Sequence, residues 1–137
     1  MTDACLGKSV GEALRAAGWV VEWHLDHFPE GTEDVAWLPV AGERGWVVLT
    51  KDKAIRRKPA EREKVIAYGV RMFTLPSGSM NGEEMAQTFL DSGRDIGRTL
   101  HRHPWPFVAQ VSRQGVTVLL EEPPSEPPGE GAESDDE

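Results

Sequence analysis

Cysteine is all but absent from this 137-residue chain: a single Cys5 leaves no partner for an internal disulfide and excludes a zinc site built from several thiolates. Long apolar runs are missing as well. No stretch approaches the roughly 18 residues needed to cross a bilayer, and no basic-then-apolar segment opens the chain as a secretory signal would, so a cytoplasmic protein with no membrane attachment is expected. Bases are missing from one region altogether. Between Glu121 and Glu137 stand eight acids and no Lys or Arg, so of the 23 acids 15 remain for residues 1–120, where they meet 15 bases. The formal net charge of −8 therefore belongs to the tail, and the body is neutral. That tail also carries Pro123, Pro124, Pro127 and Pro128 and, proline apart, no apolar residue larger than alanine. It cannot bury enough surface to offset the entropy of ordering, and residues 121–137 are expected to be disordered. They serve either as a solubilising extension or as an anionic competitor for a basic surface.

What remains, with 39% hydrophobic residues and five tryptophans, suits one folded domain over residues 1–120. Its central stretch is Trp46-Val47-Val48-Leu49-Thr50-Lys51-Asp52. The apolar run has the composition of a strand covered on both faces of a parallel sheet, punctuated by Gly45 before it. Seven bases (Lys51, Lys53, Arg56, Arg57, Lys58, Arg62, Lys64) then stand against three acids (Asp52, Glu61, Glu63).

Upstream, Ser9 and Glu12 have capping-box spacing and predict a helix over 10–17, closed by Gly18. Trp19 to His24 reads as a strand. Thr32 caps a helix over 33–41 that Pro39 interrupts. Downstream, Pro59 opens a helix ending at Gly69, Val70 to Leu75 reads as a strand, and Asn81-Gly82-Glu83-Glu84 starts a helix extending to Arg102. Phe107–Ser112 and Val116–Leu120 form a terminal hairpin. This alternation predicts an α/β fold of three layers with a mainly parallel central sheet and a C-terminal β-hairpin. A strand should precede the first helix, yet only Met1 and Thr2 stand ahead of Asp3, so that first strand is expected to be truncated or absent.

Ligands on such a sheet gather at the carboxyl ends of its strands. Asp3, Asp26 and Asp52 fall at such ends and Asp34 at a helix start one loop away. Carboxylates converging there repel one another unless a divalent cation neutralises them, and hard oxygen donors select Mg²⁺ or Mn²⁺. Such a site activates water against a phosphodiester. Each acid also has a plainer use: turn chemistry for Asp52 and Asp26, helix-start electrostatics for Asp34. Lys51, Lys53, Arg56, Arg57 and Lys58 are candidates for RNA backbone contacts, or form a solvated basic face. His24 and His27 flank Asp26, but no third histidine completes a metal set. Trp37 and Trp105 are core residues or, alternatively, stacking platforms for bases.

The ordered runs Asp3-Ala4-Cys5-Leu6-Gly7, Glu12 to Gly18, His24-Leu25-Asp26-His27-Phe28, Thr32 to Pro39, Gly45 to Lys53, Ile55 to Arg62, Gly82 to Ala86 and His103 to Phe107 resemble the PIN-like domain family, in its VapC-type toxin-like ribonuclease group. The resemblance covers roughly residues 3–120. It implies a metal-dependent endoribonuclease acting on single-stranded RNA, the toxin of a toxin–antitoxin pair that binds an antitoxin protein and commonly forms dimers. Asp3, Asp26, Asp34 and Asp52 match the catalytic, metal-holding acids. Members open with a short apolar strand, of which Met1 and Thr2 are what stands here. The alternative is a PIN-like protein that binds an antitoxin-like partner or RNA without cutting.

Overall fold

The computed structural model describes residues 1–51, 58–76 and 80–123. Its helices are α1 (Lys8–Ala16), α2 (Asp34–Glu43), α3 (Pro59–Ala67), α4 (Gly82–Asp91) and α5 (Gly93–Arg102), and its strands β1 (Val47–Thr50), β2 (Arg71–Thr74), β3 (Phe107–Ser112) and β4 (Gly115–Glu121). Gly45 and Gly69, at φ 70° and 71°, turn the chain out of α2 into β1 and out of α3 into β2, a left-handed conformation that glycine adopts without a Cβ penalty. Pro59 stands at the first turn of α3, where its missing N–H costs nothing.

The sheet order is β1-β2-β3-β4, with β1, β2 and β3 parallel and β4 returning antiparallel to β3. On the far side of β1 lies the amino-terminal segment. Thr2 bridges Leu49 on one side and Trp23 on the other, both in parallel. The bonds are Leu49 N–H to Met1 O (2.8 Å), Asp3 N–H to Leu49 O (2.9 Å), Thr2 N–H to Glu22 O (2.9 Å) and His24 N–H to Thr2 O (3.0 Å). The segment expected to be truncated or absent therefore occupies an interior position of the sheet, short as it is.

The strand expected over Trp19–His24 is instead a single bridge at Trp23, followed at once by a 3₁₀ turn, His24–Asp26, that carries the backbone off the ladder, and Val20 is 97% exposed. The capping box expected at Ser9 and Glu12 is also absent: α1 starts earlier, at Lys8, behind Gly7 and without a side-chain cap. A reciprocal box does form at Asn81 and Glu84, with bonds of 2.8 and 3.0 Å. The single helix expected to reach Arg102 is broken at Ser92 into α4 and α5. A Cβ on Gly93 would lie 3.5 Å from the Trp19 ring, an ordinary van der Waals contact.

Alternation along the strands sends successive residues to opposite layers. Leu49, Phe73 and Ala109 pack with Val10, Leu14, Met85 and Phe89 of α1 and α4, whereas Val48, Met72 and Val108 pack with Trp37, Leu38, Ala41 and Val65 of α2 and α3. The result is a three-layer α/β/α sandwich. No described helix is long and apolar enough to cross a membrane.

Candidate active site

Register places one row of polar residues along the carboxyl edge of the parallel strands. Thr50 faces Thr74, and Thr74 faces Gln110. Because Thr2 is level with Leu49 and with Trp23, Asp3 and His24 continue the row. Four of the five are buried: Thr50 is 0% exposed, His24 and Thr74 3%, Asp3 6%. Polar groups this deep need partners. Asp3 has them, since its Oδ2 accepts from Thr50 Oγ1 at 2.8 Å and from the Cys5 thiol at 3.5 Å. Cys5 Sγ lies 3.3 Å from Thr50 Oγ1 as well. Although Cys5 is exposed overall, desolvation at the sulfur and then the Asp3 charge push its thiol above the ordinary range, so it remains a donor.

Thr50 extends to the same side of the sheet as Val48, and hence toward the layer of α2 and α3. Helix α2 runs back against β1, which brings its amino terminus to this edge. Asp34, half-buried, is its first residue, and its Oδ1 accepts from the indole Nε1–H of Trp37 at 3.0 Å. The Trp37 ring stands edge-on to His24, 5.1 Å between centroids at 88°, and His24 lies 5.1 Å from Phe28 on its other side. Among the described residues neither ring nitrogen of the buried His24 has a hydrogen-bond partner. Burial pushes this imidazole below the usual histidine range; the Asp3 carboxylate opposes the shift and His27 adds to it.

The sequence-derived acids thus have separate settings. Asp3 is buried and bonded at the edge, Asp34 is held by Trp37 on the first turn of α2, and Asp26 is exposed in the turn after Trp23. Asp52 lies outside the described residues, as do Lys53, Arg56 and Arg57. Lys51 and Lys58 are exposed, and Lys58 Nζ lies 3.8 Å from Glu61 Oε2. Among the described residues no three Asp, Glu, His or Cys side chains group closely enough to hold a metal ion. In donor chemistry the carboxylates of Asp3 and Asp34 fit a hard divalent cation, and a complete ligand set requires more than the described residues bring together.

Four residues of this edge have a place here that the sequence reading did not give them. Thr74 and His24 look like ordinary strand ends, and Trp37 looks like core. Glu61 counts only as a charge, yet it sits on the first turn of α3 with its Oε1 buried and, among the described residues, unpartnered. The available signal was that an apolar strand ends each time on a polar side chain. A base-stacking role for Trp37 is excluded by its burial, at 1% exposure. Trp105 is half-buried and donates to Glu121 at 2.8 Å.

Residues 1–77 match the family model described as a PIN like domain. The chain is also 32% identical over 123 residues to "Putative ribonuclease VapC45" of Mycobacterium tuberculosis (strain ATCC 25618 / H37Rv), a match spanning 86% of this chain and 88% of that protein. No solved structure matches the chain at a significant level. With the parallel sheet, the buried aspartate at its carboxyl edge and these two similarities, the chain belongs to the PIN-like domain family, in its VapC-type group.

Proposed function

We propose that this protein is a metal-dependent endoribonuclease that cuts single-stranded RNA and acts as the toxin of a toxin–antitoxin pair, restrained by an antitoxin protein. The observation that carries this is Asp3, a carboxylate buried at the carboxyl edge of the sheet with Thr50 donating to one oxygen. Thr50 and Cys5 satisfy one oxygen of this buried carboxylate, and a divalent cation would neutralise its charge. The similarity to a VapC-type protein named as a ribonuclease favours the same chemistry here. Nucleases of this family generally use divalent metals.

Of the candidate acids Asp3, Asp26, Asp34 and Asp52, Asp3 and Asp34 together with Asp52 would hold Mg²⁺ or Mn²⁺, which when bound supplies charge neutralisation at the phosphodiester and acidifies water, while the exposed Asp26 stands outside that set. Thr50 holds one oxygen of Asp3 and Trp37 holds one oxygen of Asp34. Lys51, Lys53, Arg56, Arg57 and Lys58 lie in sequence directly around Asp52 and would align the phosphate backbone, which makes binding fall with salt.

The test uses full-length protein and a labelled single-stranded RNA. Cleavage is expected with Mn²⁺ or Mg²⁺, to cease in EDTA, to return on adding Mn²⁺, and to fall by at least about 100-fold in Asp3→Asn and Asp52→Asn. If the wild-type protein cuts no RNA with either metal while still binding a protein partner, the non-catalytic alternative replaces this one.

A further inference from the structure

Trp37 carries its one polar atom into the interior and directs it at a candidate metal ligand. The indole is 1% exposed, and its Nε1–H donates to Asp34 Oδ1 at 3.0 Å across the first turn of α2. A buried indole N–H without an acceptor would cost roughly 1–3 kcal/mol, so the bond holds the carboxylate as firmly as it holds the ring. The ring cannot swing away. It belongs to the core cluster that includes Leu38, Ala41, Val48 and Val65, all 0% exposed, and His24 closes its edge at 5.1 Å. An aspartate at the start of a helix otherwise turns readily toward backbone N–H groups of that turn. The bond to Trp37 opposes that rotation.

Resting on the metal-nuclease function above, we propose that Trp37 is a positioning residue: it sets the orientation of the Asp34 carboxylate toward the metal, as Thr50 does for Asp3 from the sheet. The two candidate ligands are thereby fixed by buried donors from two different layers, so their relative placement is determined by core packing. Partners that orient metal ligands in this way are typically worth about 10- to 100-fold in affinity or activity.

The experiment measures Mn²⁺ binding by the full-length protein, by calorimetry and by the electron paramagnetic resonance signal of free Mn²⁺, in four forms: wild type, Trp37→Phe, Asp34→Ala and the double variant. Trp37→Phe keeps an aromatic ring and loses the N–H. It is expected to weaken Mn²⁺ binding by about 10-fold. In the Asp34→Ala background the same change is expected to alter affinity by less than about 2-fold, because two residues acting through one bond are not additive. Equal weakening in both backgrounds assigns Trp37 a general structural role and overturns the proposal, as does unchanged affinity in Trp37→Phe. Wild-type protein that binds no Mn²⁺ overturns the metal-nuclease function and this proposal together. Should Trp37→Phe fail to fold, 3-benzothienylalanine at position 37, with sulfur in place of N–H and the same outline, replaces it with the same expected outcomes.

Discussion

Glycine-to-alanine changes in two helices of this protein should act in opposite directions. In α2, a Cβ on Gly42 would lie 2.2 Å from the backbone oxygen of Tyr68 and 2.8 Å from its Cβ. Ordinary contact requires about 1 Å more, and a carbonyl cannot rotate aside as a side-chain tip can. The helices must therefore separate where Leu38, Ala41 and Val65, each 0% exposed, pack between them. Overpacking of this kind costs roughly 1–3 kcal/mol or more, against about 1 kcal/mol that alanine returns in helix propensity. In α5, by contrast, Gly97 has nothing within 4 Å of its would-be Cβ and no positive φ, so there the propensity gain stands alone. At roughly 4 °C per kcal/mol for a chain of this size, the net loss of up to about 2 kcal/mol should lower the unfolding temperature of Gly42→Ala by up to about 8 °C, and Gly97→Ala should raise it by up to about 4 °C. Differential scanning calorimetry of the three proteins at one pH decides. A Gly42→Ala protein as stable as wild type, or two variants shifted downward alike, would refute the close approach of α2 and α3.

Thr50→Val keeps the shape of the residue but removes the hydroxyl that donates to buried Asp3 at 2.8 Å; urea unfolding at pH 7 should show a loss of roughly 1–3 kcal/mol, and a loss under about 0.5 kcal/mol would mean that Asp3 is satisfied without it. His24 has a depressed folded-state pKa, so as pH drops below the ordinary histidine value near 6.5 the unfolded chain takes up a proton that the folded protein resists, and stability falls. His24→Phe should flatten that decline between about pH 7 and 5 and cost little at neutral pH, where it removes two buried, unpartnered nitrogens; equal slopes in the two proteins would show that other groups govern the region. Lys51→Ala combined with Lys58→Ala should lower the salt dependence of RNA affinity, measured by fluorescence anisotropy, by about 0.7 in slope for each phosphate that is no longer neutralised; an unchanged slope would leave both lysines as solvated surface.

Elements whose limits are set by nearby residues were readable from the sequence. Pro59 opens α3 as its fixed φ requires, Gly45 and Gly69 turn two helices into strands, and the terminal hairpin closes at Gly115, with φ 116°. The failures occur where a distant partner decides. Trp19 to His24 has strand composition, yet a strand needs a neighbour, and this stretch meets one at the Thr2–Trp23 bridge alone before the chain turns at His24. Ser9 and Glu12 have capping spacing, but the backbone turn at Gly7, φ 83°, starts the helix before they can use it.

The candidate site divides along the same line. Spacing and position single out aspartates as a chemical type, because few other reasons place so many at strand and helix ends. Which of them become buried and held is a matter of register. Thr50 reads either as a polar strand residue or as a hydroxyl that orients a metal site, and it becomes the partner of Asp3 only because the chain returns 47 residues later to lie one strand away at the same height. Trp37 reads as core and is core, yet its one N–H sits three residues along α2 from Asp34, a spacing that puts both on one helical face. The interior of this protein thus sets the geometry of its acidic edge, and a substitution deep in the layer of α2 and α3 should be felt first at Asp34.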